Sequence, residues 1–263
     1  MTAIMILKKV YLLLFSKKIQ KSKLILSKKL STVIREKEFY ELNYEINELK
    51  KYLSFKYKKI LDIGCGTGKF LIFCALYEKP QLCVGLDPAT GRGSNEKVIQ
   101  IFKDNIKRLN TRNINIIKKS IWDFETKNLK YDIITANFSL HHIIPTSKNL
   151  LRDVSYKKKH RELFFKIFNI LEEDGIFIIK EVSKYHLSRY WQFYSKMIGN
   201  SNINWRTKHN SKEYIRILKD CGFQIIYKYY KVPYIFNKFR GCLSNQFASF
   251  FFDNTYFIIA RKS

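Results

Sequence analysis

Short apolar runs alternate with longer amphipathic stretches from residue 58 to the end of the chain. Near-continuous apolar runs indicate strands buried on both faces, and helices between them indicate a parallel sheet covered on both sides. The predicted strands are 59–63, 82–86, 114–118, 131–136, 175–182, 223–232 and 255–260, and the predicted helices are 67–77, 94–110 and 159–172. About twenty residues without a helical period separate the last two runs, which fits a hairpin-like excursion carrying an antiparallel strand.

The first 35 residues differ from the rest of the chain. They carry eight lysines and Arg35 but no acidic residue, and Ile6, Val10 and Leu13 recur at roughly helical spacing. This pattern predicts a basic amphipathic helix on an anionic membrane surface; a helix packed on the main domain and a loosely ordered tail are the alternatives. The apolar run 10–15 is far shorter than the ~20 residues that span a bilayer, and lysines follow it, so we expect neither a transmembrane helix nor a signal peptide.

The net charge and the cysteine content say less about the class of protein than the hydrophobic pattern does. The net charge of +27, from 49 Lys+Arg against 22 Asp+Glu, suggests an acidic partner such as nucleic acid or an anionic membrane. A chain rich in Lys, Ile and Asn is also what an AT-rich genome encodes, so a mutational origin stays open. The five cysteines are scattered without a C-x-x-C pair, which predicts free thiols in a cytoplasmic protein and no metal site.

One segment joins a predicted strand to a helix through a glycine-rich turn. Residues 60–70 read ILDIGCGTGKF, and glycines are needed where the backbone turns sharply and a ligand approaches closely. A dinucleotide fingerprint requires glycine at the sixth position counted from Gly64, where this chain has Lys69. The phosphate-binding pattern G-x-x-x-x-G-K-[ST] is also missing from the sequence.

The pattern that remains is D-x-G-x-G-x-G, which resembles motif I of class I S-adenosylmethionine-dependent methyltransferases. A second signal supports the resemblance, because Asp87 ends the next predicted strand, 23 residues after Gly64. The resemblance covers roughly residues 55–263 and implies an α/β, Rossmann-like, doubly wound seven-stranded sheet, mostly parallel with one antiparallel strand near the C-terminus. We expect residues 1–54 to form a basic helical extension and an aromatic-rich insertion to occupy about 183–210.

The resemblance also implies S-adenosylmethionine (SAM) as cofactor and a set of cofactor-binding residues. Asp87 is expected to accept hydrogen bonds from the ribose hydroxyls. Ser120 stands where the family often has an acidic residue facing the adenine, and Ser94 is expected to cap the helix that follows Asp87. The full set of expected cofactor contacts is Asp62, Gly64, Cys65, Gly66, Gly68, Asp87, Pro88, Ser120, Ile121 and Asn137.

Candidates for acceptor chemistry lie beyond the fourth and fifth strands. His141, His142 and Glu181 are candidate general bases, although the histidine pair is equally able to shape the wall of the cofactor pocket. Aromatic residues of the insertion are expected to form a lid over the acceptor, with a role in covering the domain as the alternative. The lid candidates are Tyr185, Tyr190, Trp191 and Trp205.

The segment after the fourth strand favours one class of acceptor. Phe138 and Ser139 replace the proline pair of enzymes that methylate nucleobase amino groups, and no cysteine lies between residues 84 and 220 to form a pyrimidine adduct. We therefore expect methyl transfer to an O or N atom of a small-molecule or lipid-like acceptor. The alternatives are an RNA methyltransferase, acting on the ribose 2′-hydroxyl rather than a base amino group, and a cofactor-binding scaffold without activity.

Overall fold

The computed structural model describes residues 28–90, 94–126, 129–144, 153–186, 207–232, 236, 239–251 and 253–263. Seven strands form one sheet in the order β3-β2-β1-β4-β5-β7-β6, in which β7 runs antiparallel to both neighbours. The predicted fold class is thereby confirmed. The strands are β1 (Lys59–Ile63), β2 (Leu82–Leu86), β3 (Ile114–Ile117), β4 (Tyr131–Asn137), β5 (Leu171–Val182), β6 (Phe223–Tyr230) and β7 (Thr255–Lys262).

The described helices cover both faces of this sheet. Buried side chains of α2, α3 and α4 form one apolar layer, and those of α6 and α7 form the other. Because both faces are covered, the central strands carry the continuous apolar runs seen in the sequence. The helices are α1 (Lys28–Ser31), α2 (Glu36–Leu49), α3 (Lys69–Tyr77), α4 (Glu96–Leu109), α5 (Leu140–Ile143), α6 (Val154–Ile170), α7 (Ser211–Asp220), α8 (Arg240–Leu243) and α9 (Gln246–Phe251).

Strand β5 begins earlier than predicted, for a local reason. Strand β5 begins at Leu171 rather than Gly175, because Leu171 pairs with Tyr131 before the register shifts to Ile133. Asp174 lies within that irregularity at φ +58°. The acidic stretch before Gly175, which lies outside the predicted strand, is therefore an irregular start of β5.

Helix α4 is capped by a different residue from the one expected. The side chain of Asn95 accepts a hydrogen bond from the Val98 N–H at 3.1 Å and satisfies one of the free donors of the first turn. Ser94, the expected cap, instead donates its hydroxyl to Asp87. The helix thus begins one residue later, and Ser94 belongs to the loop after β2.

Helix α2 packs on the same apolar layer as α3. The ring of Phe39 lies 5.6 Å from the rings of Phe73 and Tyr77, and Ile46 and Leu49 are also buried. Residues 1–27, which hold most of the basic run, lie outside the described residues. In the part of the chain that the structure describes, no helix is long and apolar enough to cross a membrane.

Candidate cofactor and methyl-transfer site

Two glycines in the turn between β1 and α3 have opposite surroundings. Gly66 borders open space, whereas Gly68 lies against a buried side chain. Gly66 has φ +53°, and a Cβ added there would meet no atom within 4 Å. Gly68 has φ +72°, and its Cβ would lie 2.0 Å from a ring carbon of the fully buried Phe102. Gly68 is therefore required for packing, whereas Gly66 borders a cradle that a side chain would occupy.

Asp87 joins this turn to the end of β2. Its carboxylate, 2% exposed, accepts the Gly66 N–H at 3.0 Å, the Ala89 N–H at 2.9 Å and the hydroxyl of Ser94. A carboxylate has about four acceptor positions, so these three donors leave room for another. The two loops thus present an acceptor and a glycine backbone beside the same open space.

A second carboxylate lies on β1 behind the turn. Asp62 is buried and accepts hydrogen bonds from the Thr135 hydroxyl at 2.6 Å and the Asn137 amide at 3.0 Å. Burial raises the pKa of Asp62 to about 7, against the lowering effect of these two donors, and the charge of Asp87 raises it further. Near neutral pH, both the charged and the neutral form of Asp62 are therefore populated.

The segment after β4 lies directly against the glycine turn. Phe138 turns the chain with φ +56°, and the Ser139 hydroxyl donates to the Ile63 carbonyl at 2.6 Å. The approach is so close that a Cβ at Gly64 would lie 2.4 Å from the Ser139 Cβ. Since His141 and His142 follow in α5, the tertiary structure brings the histidine pair next to the candidate cofactor turn.

His141 uses both of its ring nitrogens. Its Nδ1 lies 2.9 Å from Glu181 Oε2, and its Nε2 lies 2.6 Å from the Nζ of Lys208. An ammonium group only donates, so Nε2 is the acceptor and Nδ1 carries the proton that goes to Glu181. Burial lowers the pKa of Lys208, against the attraction of Glu181. Sequence reasoning missed Lys208, which lies 67 residues from His141 and belongs to no local motif.

His142 differs from its neighbour in exposure. Its ring is exposed and lies 4.0 Å, centroid to centroid, from the ring of His141. Burial lowers the pKa of His142 from its ordinary value of 6.5, and the positive charge of Lys208 lowers it further. His142 is therefore neutral at pH 7, the form in which an imidazole accepts a proton.

The remaining predicted residues have ordinary environments. The Ser120 hydroxyl donates to Asp123, Ile121 is buried, and burial raises the pKa of the Cys65 thiol. Of the lid candidates, Tyr185 is exposed, whereas Tyr190, Trp191 and Trp205 lie outside the described residues. Among the residues that the structure describes, no three His, Cys, Asp or Glu side chains are grouped to hold a metal ion.

Comparison with known proteins identifies the family. Residues 34–228 match the model of a family described as a methyltransferase domain. The chain belongs to this methyltransferase family. A solved structure of magnesium protoporphyrin IX methyltransferase from Synechocystis, with bound SAH, superposes with a TM-score of 0.55 at 15% identity and covers 94% of this chain and 92% of that one.

Two curated relatives carry more specific names. Carboxy-S-adenosyl-L-methionine synthase of Nautilia profundicola is 26% identical over 208 residues, which is 72% of this chain and 79% of that protein. The tRNA U34 carboxymethyltransferase of Campylobacter fetus is 28% identical over 142 residues, which is 54% of this chain and 47% of that protein. The methyltransferase described above is thus a SAM-dependent enzyme, and its open cradle at Gly66 beside Asp87 fits such a cofactor.

Proposed function

We propose that this methyltransferase transfers a methyl group to an O or N atom of a small-molecule or lipid-like acceptor, with His142 as the general base. The observation that carries the proposal is the environment of His142, an exposed and neutral imidazole in the helical turn that begins at Ser139, whose hydroxyl bonds to the end of β1. His141, by contrast, has both ring nitrogens engaged by Glu181 and Lys208.

The cofactor is proposed to lie between the glycine turn and the end of β4. Bound SAM supplies a methyl group on a positively charged sulfur, so the protein mainly has to place the acceptor in line with it. Asp87 would accept a hydrogen bond from a ribose hydroxyl, and ionised Asp62 and Asn137 would face the charged end of the cofactor. The backbone at Gly64, Cys65, Gly66 and Pro88 would line the cradle, and Ser120 and Ile121 would border the adenine.

Proton removal is assigned to His142. An acceptor hydroxyl loses its proton as the methyl group transfers, an ammonium must lose one before its nitrogen can attack, and a base near neutrality takes the proton up. The lowered pKa keeps the ring of His142 ready to do so at pH 7. Glu181 and Lys208 fix the ring of His141, against which His142 stacks. Tyr185 and the rest of the insertion are proposed to cover the acceptor.

His142→Gln tests this assignment. We expect kcat to fall by about 10²-fold, the contribution typical of a positioned base, with an unchanged Kd for SAM. Calorimetry of the same variant is the control, because unaltered cofactor binding shows that the site is intact. Full activity of His142→Gln would exclude the proposed base.

RNA is the second candidate acceptor, favoured by the net charge of +27 and by the relative named for tRNA modification. A screen with SAM carrying a radiolabelled methyl group, on an extract divided into RNA, lipid and small-molecule fractions, separates the two. We expect nuclease-resistant label in the lipid or small-molecule fraction. Label released by ribonuclease would assign the enzyme to RNA, and a mass increase of the cofactor itself would indicate the reaction named for the carboxy-SAM synthase relative.

Residues 1–35 are proposed to contact an anionic membrane surface through their lysines. Leu30 and Ile34 are fully buried in the domain, so the test removes only residues 1–27. The full chain is expected to sediment with anionic vesicles and the shortened chain to remain in solution. Equal sedimentation of both forms would refute the membrane role.

A further inference from the structure

Helix α2 contacts both sides of the candidate cofactor cleft through two carboxylates on one face. Glu38 and Glu45 are seven residues apart, which is about two helical turns. Glu38 Oε2 lies 2.8 Å from the Nζ of Lys69, the residue that follows Gly68 in the glycine turn. Glu45 Oε2 lies 2.5 Å from the Nζ of Lys180, in the strand that pairs with β4. The two ion pairs therefore connect α2 to the two walls of the cleft.

Lys180 belongs to the wall formed by the end of β4. It is the register partner of Asn137, and its carbonyl accepts the Phe138 N–H at 2.8 Å. Its ammonium lies 4.8 Å from the ring centroid of Phe138 and 5.5 Å from that of Phe257. This charge also favours the ionised form of Asp62, since it lowers the pKa that burial raises. Lys180 thus acts electrostatically on the carboxylate behind the glycine turn.

Glu45 determines how much of that charge is neutralised. It is 6% exposed and pairs with Lys231 at 3.2 Å in addition to Lys180. Although burial raises the pKa of Glu45, the charges of Lys180 and Lys231 outweigh burial and hold the pKa below its ordinary value. An isolated buried carboxylate is unfavourable, so this one is ionised and tied to its lysines.

We propose that Glu45 tunes the charge at the cofactor site: it partly neutralises the Lys180 ammonium beside the Asn137–Phe138 turn and so limits how strongly Lys180 favours the ionised form of Asp62. The inference rests on the proposed contact between Asp62 and the cofactor. Because SAM carries positive charge, it binds more tightly when Asp62 is ionised, and its affinity should rise with pH through the titration of this carboxyl group.

Other groups facing Asp62 are accounted for in the test. Thr135 and Asn137 contact it from β4, and Asp87 acts on it from the end of β2. The neighbouring thiols of Cys65, Cys74 and Cys83 have raised pKa values and stay uncharged over the range to be measured. Lys180 and its partner Glu45 are therefore the pair to vary.

The experiment measures the Kd for SAM by calorimetry from pH 5.5 to 8.5 in the full chain. In the wild type, affinity is expected to weaken below a midpoint near pH 7, and Asp62→Asn should abolish that dependence. Glu45→Gln leaves Lys180 unneutralised, so its midpoint should move down by about 0.5 pH unit or more. Lys180→Met removes the cation, so its midpoint should move up by a similar amount. Glu38→Gln, which loses the matching pair with Lys69, is the control and should keep the wild-type midpoint.

Opposite shifts distinguish electrostatic tuning by Glu45 from a structural role, because a merely loosened helix would weaken binding without moving the midpoints in opposite directions. Unshifted midpoints in Glu45→Gln and Lys180→Met would overturn this inference alone. If Glu45→Gln does not fold, the midpoint of Lys180→Met still tests the inference, because it should lie above that of the wild type. A wild type that binds no SAM at any pH would overturn the proposed cofactor site and this inference together.

Discussion

The proposed cofactor half of the site, residues 62–68, 87–90 and 94, is built from two strand ends and residues that follow them, whereas the proposed acceptor half joins residues far apart in the chain. In the cofactor half, Asp87 reaches Gly66 across adjacent parallel strands. In the acceptor half, His141 meets Glu181 and Lys208, 40 and 67 residues away. Short motifs describe the first half because its geometry is local, and they miss members of the second because its geometry depends on packing.

The two glycines with opposite surroundings give the largest expected contrast within the cofactor half. Gly68→Ala forces a Cβ to within 2.0 Å of Phe102 at positive φ, so we expect a loss of at least about 2 kcal/mol in the free energy of unfolding. Gly66→Ala meets no atom and should lose only about 1 kcal/mol, from backbone strain. Denaturant unfolding measures both. Equal losses would contradict the assignment of Gly68 to packing and Gly66 to the ligand cradle.

The Asp62→Asn variant tests the charge state of Asp62 through the free energy of unfolding, without a bound cofactor. Because the folded pKa of Asp62 is raised to about 7 from an ordinary value of 3.8, the neutral carboxyl stabilises the fold at low pH, and this contribution is lost as the pH rises through 7. The variant cannot ionise, so it should match the wild type at about pH 4 and be more stable by about 2–4 kcal/mol at pH 8. Urea unfolding at the two pH values checks this.

Asp132→Asn is the matched control for that titration. Although burial opposes them, Lys58 and Lys59 hold the pKa of Asp132 below its ordinary value. Its stabilising contribution is therefore present at neutral pH and lost in acid, so this variant should be less stable than the wild type at pH 8. If both variants changed stability in the same direction at pH 8, the assigned charge state of Asp62 would be wrong.

Asp87→Ala tests the other carboxylate of the cofactor half. Loss of a charge-assisted hydrogen bond to the ribose should weaken SAM binding by about 1–3 kcal/mol, measured by calorimetry. Asp104→Ala, at an exposed position of α4, is the control and should bind normally. An unchanged affinity of Asp87→Ala for SAM would show that Asp87 only holds the loop through its hydrogen bonds and does not bind the ribose.

Lys208→Met gives the smallest expected effect and probes the acceptor half. Removing this cation should raise the pKa of His142, so the acid limb of the kcat/KM profile should move to higher pH by a few tenths of a unit. Lys212→Met, on the nearby helix α7, is the control. An acid limb that stays in place would show that Lys208 does not act on His142.

Much of the fold could be predicted from local pattern because each apolar run is long enough to define a buried strand. The family resemblance implied the seven-stranded sheet with one antiparallel strand near the C-terminus, and the boundaries of β1 and β2 agree with the prediction. The early start of β5 could not be predicted, because it depends on the pairing of Leu171 with Tyr131 of β4 and on ion pairs such as Lys262–Glu173 and Lys59–Glu172. Those contacts exist only once the sheet has formed.

By itself, the sequence determined the strand–glycine–helix turn, the carboxylate at the end of β2 and the membership of the methyltransferase family, because each depends on residues a few positions apart or on adjacent strands. Only the tertiary structure decided that Ser94 bonds Asp87, that Lys208 completes the His141–Glu181 contact, and that Glu45 of α2 pairs with Lys180. The physical reason is that burial and charge pairing depend on which elements pack together, and packing brings distant residues within hydrogen-bonding reach.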